Sequence, residues 1–446
     1  GAEAAAATAL AEAAAAAASE SQAAADLAQA TAEGNQEAVA AAEEALAAAQ
    51  AAASAASADA AAAQAEADAA REQAAAAQEE AEQARTEAEA AKAEAEAAQA
   101  EAAAAQSEAA EAQATIETLM RDAMVAALDM NGDGDVLFGV ATPGPRDDGA
   151  YYQTLVETVE GFAAENGFST PIIVDLIEPA DAATELRNLA EQGVDVLAVG
   201  AGEIAEPLAT LTEEYSEIFW YCNCGAGYPQ TPGLAQSQDD GSQIGYSAGY
   251  ATGMLLRDNG GDSVHFLGCC DVGFEQEAYK SFEMGLHNVD PDFTLTYVPT
   301  GRWPFDFDNI AGATEAFNSS VAEGADAVYP YLGGAHEPVV ALANENDVIV
   351  MSAGASDVCE RTDLDYDIAV QFDAGDYILH LLEKIGDGQF TEGEAFVFTF
   401  DLPFVGAKLC DPTAEQQAEF DAERARIHAG TYAEAFFAIK AEAYGF

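Results

Sequence analysis

The chain has 446 residues, with 80 Asp and Glu against 15 Lys and Arg, for a formal net charge of −65. Nucleic acid and anionic membrane surfaces are bound through clustered Lys and Arg, so this balance excludes both as direct partners. No apolar run approaches the roughly 20 residues of a membrane-spanning helix, and the length fits two or three domains.

Composition changes sharply near residue 120. Residues 1–120 hold 63 Ala, 23 acidic and 3 basic residues, and no aromatic residue, Pro or Cys. The other 326 residues keep 57 acidic and 12 basic ones and every Trp, Tyr, Phe and Cys, so that part alone can build an aromatic-rich core. A folded domain this acidic repels itself, and salt screens the repulsion, so a high-salt or marine habitat is expected, with an ordinary acidic secreted protein as the alternative. The start at Gly1-Ala2-Glu3 has no basic and apolar leader and fits a mature form whose signal was removed.

The opening segment repeats every seven residues. Glu80, Glu87, Glu94, Glu101 and Glu108 form one column, and Gln78, Arg85, Lys92, Gln99, Gln106 and Gln113 another. Between them run Ala81-Ala88-Ala95-Ala102-Ala109 and Ala84-Ala91-Ala98-Ala105-Ala112, spaced three and four apart as the a and d seam of a coiled coil. The same phase runs back through Leu46 and Val39 to Ala4, and forward to Ile116, Leu119 and Ala123. Glu then stands at g and Arg, Lys or Gln at e, the offset of interhelical pairs between parallel strands. Gly34-Asn35 is the one obvious break signal, yet the phase passes through it unshifted.

The spacing therefore predicts one continuous helix over 1–128 in a parallel coiled coil, with Asn35 at a d position fixing register. About 120 residues would span roughly 180 Å. A hairpin at Gly34-Asn35, a lone charged helix and a disordered linker are the alternatives, the lone helix because Ala is the best helix former. The expected product is a homo-oligomerising stalk whose seam includes Val39, Leu46, Ala81, Ala84, Ala88, Ala91, Ala95, Ala98, Ile116 and Leu119.

That helix runs into ALDMNGDGDVLFGVAT, whose residues 129–135 read as a hinge. Asp129, Asn131, Asp133, Gly134 and Asp135 match the D-x-N-x-D-G start of a calcium loop. Its twelfth position is Val140 instead of a bidentate Glu, which excludes a complete EF-hand. A partial Ca²⁺ site on Asp129, Asn131, Asp133 and Asp135 and a helix-ending Asn-Gly-Asp-Gly turn both fit the pattern.

From residue 136 onward short apolar runs alternate with amphipathic helical windows. DVLFGVAT, TPIIVDLI, GVDVLAVGAG and EIFWYCNCG come first, and SVHFLGCC, ADAVYPYLGG and DVIVMSAG follow a helix after Gly245. Such alternation implies parallel sheets built from βαβ units. A weak echo between residues 191–202 and 322–334 implies two similar lobes, about 136–245 and 260–370, with a C-terminal segment packing across both. Ligands of such sheets bind in the cleft at the carboxyl ends of the strands.

GVATPGPRDDGAYYQTLVETVEG, DDGSQIGYSAGYATGMLL, FEQEAYKSFEMGL, GRWPFDFDN and EGADAVYPYLGG carry a resemblance. Residues of about 135–446 resemble the basic membrane protein (BMP) family of ABC-transporter solute-binding lipoproteins, a group that includes bacterial purine-nucleoside receptors. The stalk lies outside it. The resemblance implies a two-lobed type 1 periplasmic-binding-protein fold and an extracytoplasmic receptor, at the cell surface or in the periplasm, anchored near its N terminus. It also implies a small-molecule ligand and an ABC importer permease as partners.

In that family an acidic pair followed by Lys-Ser-Phe-Asn opens the site, an aromatic residue stacks on the base, an Asp of the second lobe grips the ribose, and a Lys follows. Here the acidic pair is Asp147-Asp148, followed by Gly149-Ala150-Tyr151-Tyr152, and Trp303 takes the stacking position with Asp306 nearby. Gly333-Gly334 matches a glycine turn at the cleft, the Asp-x-Asp segment reads Gly354-Ala355-Ser356-Asp357, and no Lys stands near Gln371 and Asp373. Read by chemistry alone, Tyr151, Tyr152 and Trp303 are flat faces suited to a ring. Asp147, Asp148 and Asp306 accept hydroxyl or amine donors.

The five histidines show no metal-ligand spacing, and there is no phosphate loop, G-x-S-x-G or C-x-x-C. No enzymatic activity and no cofactor other than Ca²⁺ at the hinge are expected. Cys222 and Cys224 end a first-lobe strand and Cys269-Cys270 a second-lobe one; a disulfide between them near the hinge, one from Cys359 to Cys410, and free thiols all fit. Two functions remain in view. One is a solute receptor displayed on an oligomeric stalk, with a nucleoside- or sugar-like ligand. The other is a subunit of a surface filament, lattice or adhesive stalk that reuses the receptor fold.

Overall fold

A computed structural model describes residues 1–225, 228–302 and 305–445. The chain forms two compact units, Gly1–Ala112 and Gln113–Phe446.

The first unit is helical. Helix α1 (Ala2–Glu33) ends at Gly34, which sits in the left-handed region at φ 71°, and α2 (Gln36–Leu128) begins two residues later. Only glycine takes that conformation without a steric cost. The Asn35 side-chain oxygen accepts from the backbone N–H groups of Glu37 and Ala38, at 3.2 and 3.3 Å, and so caps α2. Helix α1 folds back along α2: Arg71 Nε donates to Glu3 at 2.6 Å. The shielded face of α1 is Ala2, Ala6, Ala9, Ala13, Ala16, Glu20, Ala23, Leu27 and Ala30. That of α2 is Val39, Ala42, Leu46, Ala49, Ala53, Ala56, Ala60, Ala63 and Ala67. Both rows step by three and four, as a two-helix seam requires.

This overturns the expectation of one helix through residue 34. Gly34-Asn35 is an antiparallel turn, and Asn35 is a cap instead of a register residue at d. On α2 the shielded row is the predicted one. On α1 it is displaced, leaving Ala4 and Leu10 exposed. A helix made almost wholly of alanine presents a small apolar stripe in every phase, so an unbroken repeat in sequence does not require an unbroken helix. Beyond Ala67 the seam of α2, from Ala74 to Ala112, is exposed.

In the second unit, the last turns of α2 join the core. Met124 and Leu128 are buried, Arg121 Nε donates to the Asn166 carbonyl at 2.8 Å, and Ile116 and Leu119 are exposed. The hinge after Leu128 is a chain of side-chain-capped turns. Asp129 accepts from the N–H groups of Gly132, Asp133 and Gly134, Asn131 from Asp133, Asp133 from Asp135, and Asp135 from Val136 and Ser169. Among the described residues no group of three or more His, Cys, Asp and Glu side chains is placed to hold a metal ion.

The first lobe is a six-stranded sheet. Its order is β11 (Ala395–Phe398), β5 (Leu234–Asp239), β4 (Phe219–Asn223), β3 (Val196–Val199), β1 (Phe138–Ala141) and β2 (Ile172–Val174). Every pairing is parallel. Helices α3 (Tyr151–Glu165), α4 (Ala182–Ala190) and α5 (Leu208–Glu214) connect its strands. The second lobe orders β7 (Thr294–Pro299), β6 (Ser263–Gly268), β8 (Ala327–Pro330) and β9 (Ile349–Val350), again parallel. Its helices are α7 (Gly273–Val289), α8 (Ile310–Glu323) and α9 (His336–Glu345). The central strands of both lobes are buried end to end, which is why FGVA, VLAV and AVYP read as unbroken apolar runs rather than alternating ones.

Helix α6 (Gly241–Asn259) carries the chain from the first lobe to the second. Its Gly241, Gly245, Gly249 and Gly253 form a ridge against α7, and a Cβ on Gly249 would collide with the Phe282 carbonyl. Past the second lobe come β10 (Ile368–Gln371), α10 (Ala374–Gly386), β12 (Gly406–Leu409), α11 (Ala414–His428) and α12 (Ala433–Tyr444). Strands β10 and β12 pair antiparallel, while β11 joins the first-lobe sheet.

The cysteines pair as Cys222–Cys224, Cys269–Cys270 and Cys359–Cys410. The last is an expected pairing. The other two close on themselves, so no disulfide joins the strand ends of the two lobes. No described helix is long and apolar enough to cross a membrane.

Candidate ligand-binding site

Between the lobes lies a cavity of about 140 Å³. Parallel strands deliver most of its wall from their carboxyl ends, where backbone groups and side chains converge. From the first lobe, Gly202 and Glu203 follow β3, Asn223 ends β4, Asp239 ends β5, and Tyr151 and Tyr152 open α3. From the second, Phe274, Glu277 and Ala278 lie on α7, and Tyr329, Tyr331, Leu332 and Gly333 end and follow β8. Phe307 and Phe372 add two more rings.

Aromatic rings make a continuous lining. Tyr331 stacks on Phe372 with centroids 5.7 Å apart, and Phe372 stands 6.4 Å from Tyr151, so the wall passes from one lobe to the other. Phe274 stacks on Phe307 at 6.0 Å. Rings set this way present faces and edges to a bound group without filling the space themselves.

Three carboxyl side chains interrupt the aromatic wall, and the described lining contains no Lys, Arg or His. Burial pushes Asp239 up to about 7; the nearby Tyr377 hydroxyl opposes this, but neither that hydroxyl nor Asp239 Oδ1 has a partner in hydrogen-bond geometry. Burial also raises Glu203, whose contact is the Tyr152 hydroxyl at 3.5 Å, long for a hydrogen bond. Glu277 is raised by burial too, and is better satisfied: Ser242 donates at 2.7 Å and the Tyr444 hydroxyl at 2.8 Å. Asn223 is fully buried; its Oδ1 accepts from Ser237, while its Nδ2 has no partner.

A second cleft between the lobes is lined by Asp147, Asp148, Gly149 and Gln153 on one side and by Asp308, Gly334, Glu337 and Arg361 on the other. Asp148 caps α3, accepting from the N–H groups of Ala150, Tyr152 and Gln153. Burial pushes it up to about 6, and Asp308 across the cleft adds to the rise. Asp308 accepts from Gly334 N–H at 2.5 Å, and Arg361 pairs with Glu337 and Asp363.

The sequence-derived residues distribute over these two spaces. Tyr151, Tyr152 and Gly333 line the cavity; Asp147, Asp148 and Gly334 line the second cleft. Asp306 accepts from Asn309 Nδ2 at 3.0 Å and Asp357 is exposed; neither is among the residues lining these two spaces. Trp303 lies outside the described residues. Glu203, Asn223, Asp239, Glu277, Phe274, Phe307, Tyr331 and Phe372 were not singled out by sequence. Glu203, Asn223 and Asp239 follow or end three adjacent parallel strands, and that topological rule is the signal that could have found them.

Comparison with known proteins places this geometry. The model of the Bmp family, described as "ABC transporter substrate-binding protein PnrA-like", matches residues 136–422. An ABC transporter solute-binding protein of Aeropyrum pernix K1 superposes with a TM-score of 0.52 at 13% identity, covering 70% of this chain and 91% of that one. A transcriptional activator of the comK gene from Bacillus halodurans superposes at 0.50 and 14%, covering 65% and 96%. A solute-binding protein of Conexibacter woesei DSM 14684 is 20% identical, with a TM-score of 0.49 over 66% of this chain and 97% of that one. At these identities the first two establish the fold alone. No curated protein sequence matches the chain.

Proposed function

Because the chain belongs to the Bmp family of PnrA-like ABC transporter substrate-binding proteins, we propose that it captures a small polar solute between its lobes outside the cytoplasm and presents it to an ABC permease. The carrying observation is the cavity itself, walled by aromatic rings from both lobes and pointed with polar groups at the strand ends. A nucleoside- or sugar-type ring compound suits such walls. The family is one of binding proteins. Isothermal titration of the full chain with nucleosides, pentoses and choline tests this; a Kd in the micromolar range or tighter is expected for at least one, and heats equal to dilution for every compound would refute it.

Oligomeric display is the second part of the proposal, and one observation supports it. From Ala74 to Ala112 the predicted a and d positions of α2 are exposed among the described residues, and Ile116 and Leu119 are 50% and 62% exposed. A second copy laid along residues 74–119 would cover them, with Glu80 and Glu87 at g facing Arg85 and Lys92 at e. In that form the protein would offer several receptor heads together, and assembly into a filament or lattice would extend the same contact. Calcium at the hinge is proposed only as a ligand of Asp129, Asn131, Asp133 and Asp135. A calcium titration that leaves the melting temperature unchanged would remove it.

A further inference from the structure

We propose that the solute held between the lobes is an organic cation that also carries an acceptor oxygen: an amine or quaternary ammonium group on a compact hydroxylated body. This rests on the solute-binding reading and names the class of ligand within it.

The charge balance of the cavity carries the inference. Glu203, Asp239 and Glu277 line it, and no described lining residue is cationic. Among the described residues only Glu277 has a cation in view: Lys440 Nζ lies 4.0 Å away, but its nearer partner is Asp240 at 2.8 Å. Glu203 meets one hydroxyl at 3.5 Å, and Asp239 Oδ1 has the Tyr377 hydroxyl nearby but no partner in hydrogen-bond geometry among the described residues. A carboxylate out of water is costly unless it is paired, and among the described residues no cation pairs Glu203 or Asp239, so a bound solute in the cavity is placed to supply that charge. Burial favours the protonated carboxyls, as the upward displacement of Asp239 and Glu203 reflects.

Two further features fit the same ligand. The faces of Tyr151, Tyr331 and Phe372 attract a cation through the negative centre of the ring. Asn223, buried with Nδ2 unpaired in the same wall, needs an acceptor, which the carboxylates' ligand would supply through an oxygen. The second cleft adds a reason for closure: Asp148 and Asp308 come from opposite lobes, and Asp308 disfavours the ionised form of Asp148. A positive charge between the lobes would reduce that repulsion, so its binding would favour the closed arrangement.

The test pairs each cation with a neutral compound of the same shape. Choline is compared with 3,3-dimethylbutan-1-ol, and 1,4-diaminobutane with butane-1,4-diol, by isothermal titration of the full chain at one fixed salt concentration. At least one cation is expected to bind about tenfold or more tightly than its neutral counterpart, and Asp239→Asn should remove most of that difference. Glu203→Gln serves if Asp239→Asn does not fold. Equal binding within both pairs overturns the cation proposal. Binding of adenosine or ribose without either cation also overturns it and leaves the solute-binding reading standing; binding of none overturns both.

Discussion

Arg71 Nε donates to the Glu3 carboxylate at 2.6 Å, joining the first turn of one helix to a point 68 residues along the chain. Both side chains are more than half exposed, so the pair itself adds little to stability. What it reports is direction, because only an antiparallel α1–α2 hairpin brings the two together. Labels at residues 3 and 71 should lie within about 20 Å, little more than two side chains beyond the axial spacing of packed helices. A continuous helix would separate them by roughly 100 Å. Electron–electron resonance distances distinguish the two.

The turn offers a second check. Gly34 has open space around a Cβ, so Gly34→Ala meets only the backbone penalty of its positive φ. A loss of about 1–2 kcal/mol of hairpin stability is expected. It should appear as earlier melting of the helical signal, with the second unit unaffected.

Asp239 makes stability depend on pH in a stated direction. Its folded carboxyl is pushed up to about 7 from the ordinary aspartate value of 3.8. Between those values the folded protein keeps a proton that the unfolded chain gives up, so this group's contribution falls as pH rises through the window and is level above it. Asp239→Asn should therefore melt higher than the wild type at pH 8, and the gain should shrink toward pH 5. A gain that grows toward low pH would contradict the assignment.

The excess of 80 acidic over 15 basic residues predicts a salt response. Screening of self-repulsion should raise the melting temperature steadily as NaCl is increased, and KCl should act alike. A flat response would show that the charges are already balanced by the fold.

The three disulfides should differ in weight. Cys359–Cys410 closes a span of 51 residues, worth about 4 kcal/mol by loop entropy, whereas Cys222–Cys224 and Cys269–Cys270 constrain almost no chain. Cys359→Ser with Cys410→Ser should lower the denaturant midpoint clearly. Serine at Cys222 and Cys224 should hardly move it.

Much of the two-lobed head was legible in the sequence because buried parallel strands leave uniform apolar runs, and the glycines of GSQIGYSAGYATG mark the close approach of α6 to α7. The hairpin was not, since alanine satisfies every heptad phase and the break signal at Gly34-Asn35 had no apolar pattern to disagree with. The site was half legible. Tyr151 and Tyr152 stood beside an acidic pair, but Asp239 and Phe372 are 133 residues apart in sequence and meet only when β5 and the segment after β10 converge on one cavity.

Native mass spectrometry of the full chain tests the solute-binding claim most directly. The account predicts one small-molecule adduct per chain on incubation with a nucleoside, a pentose or choline, and its loss in the double variant Tyr151→Ala, Phe372→Ala while the variant stays folded. A chain that keeps its bare mass with all three, or a double variant that holds the adduct as firmly as the wild type, would contradict it.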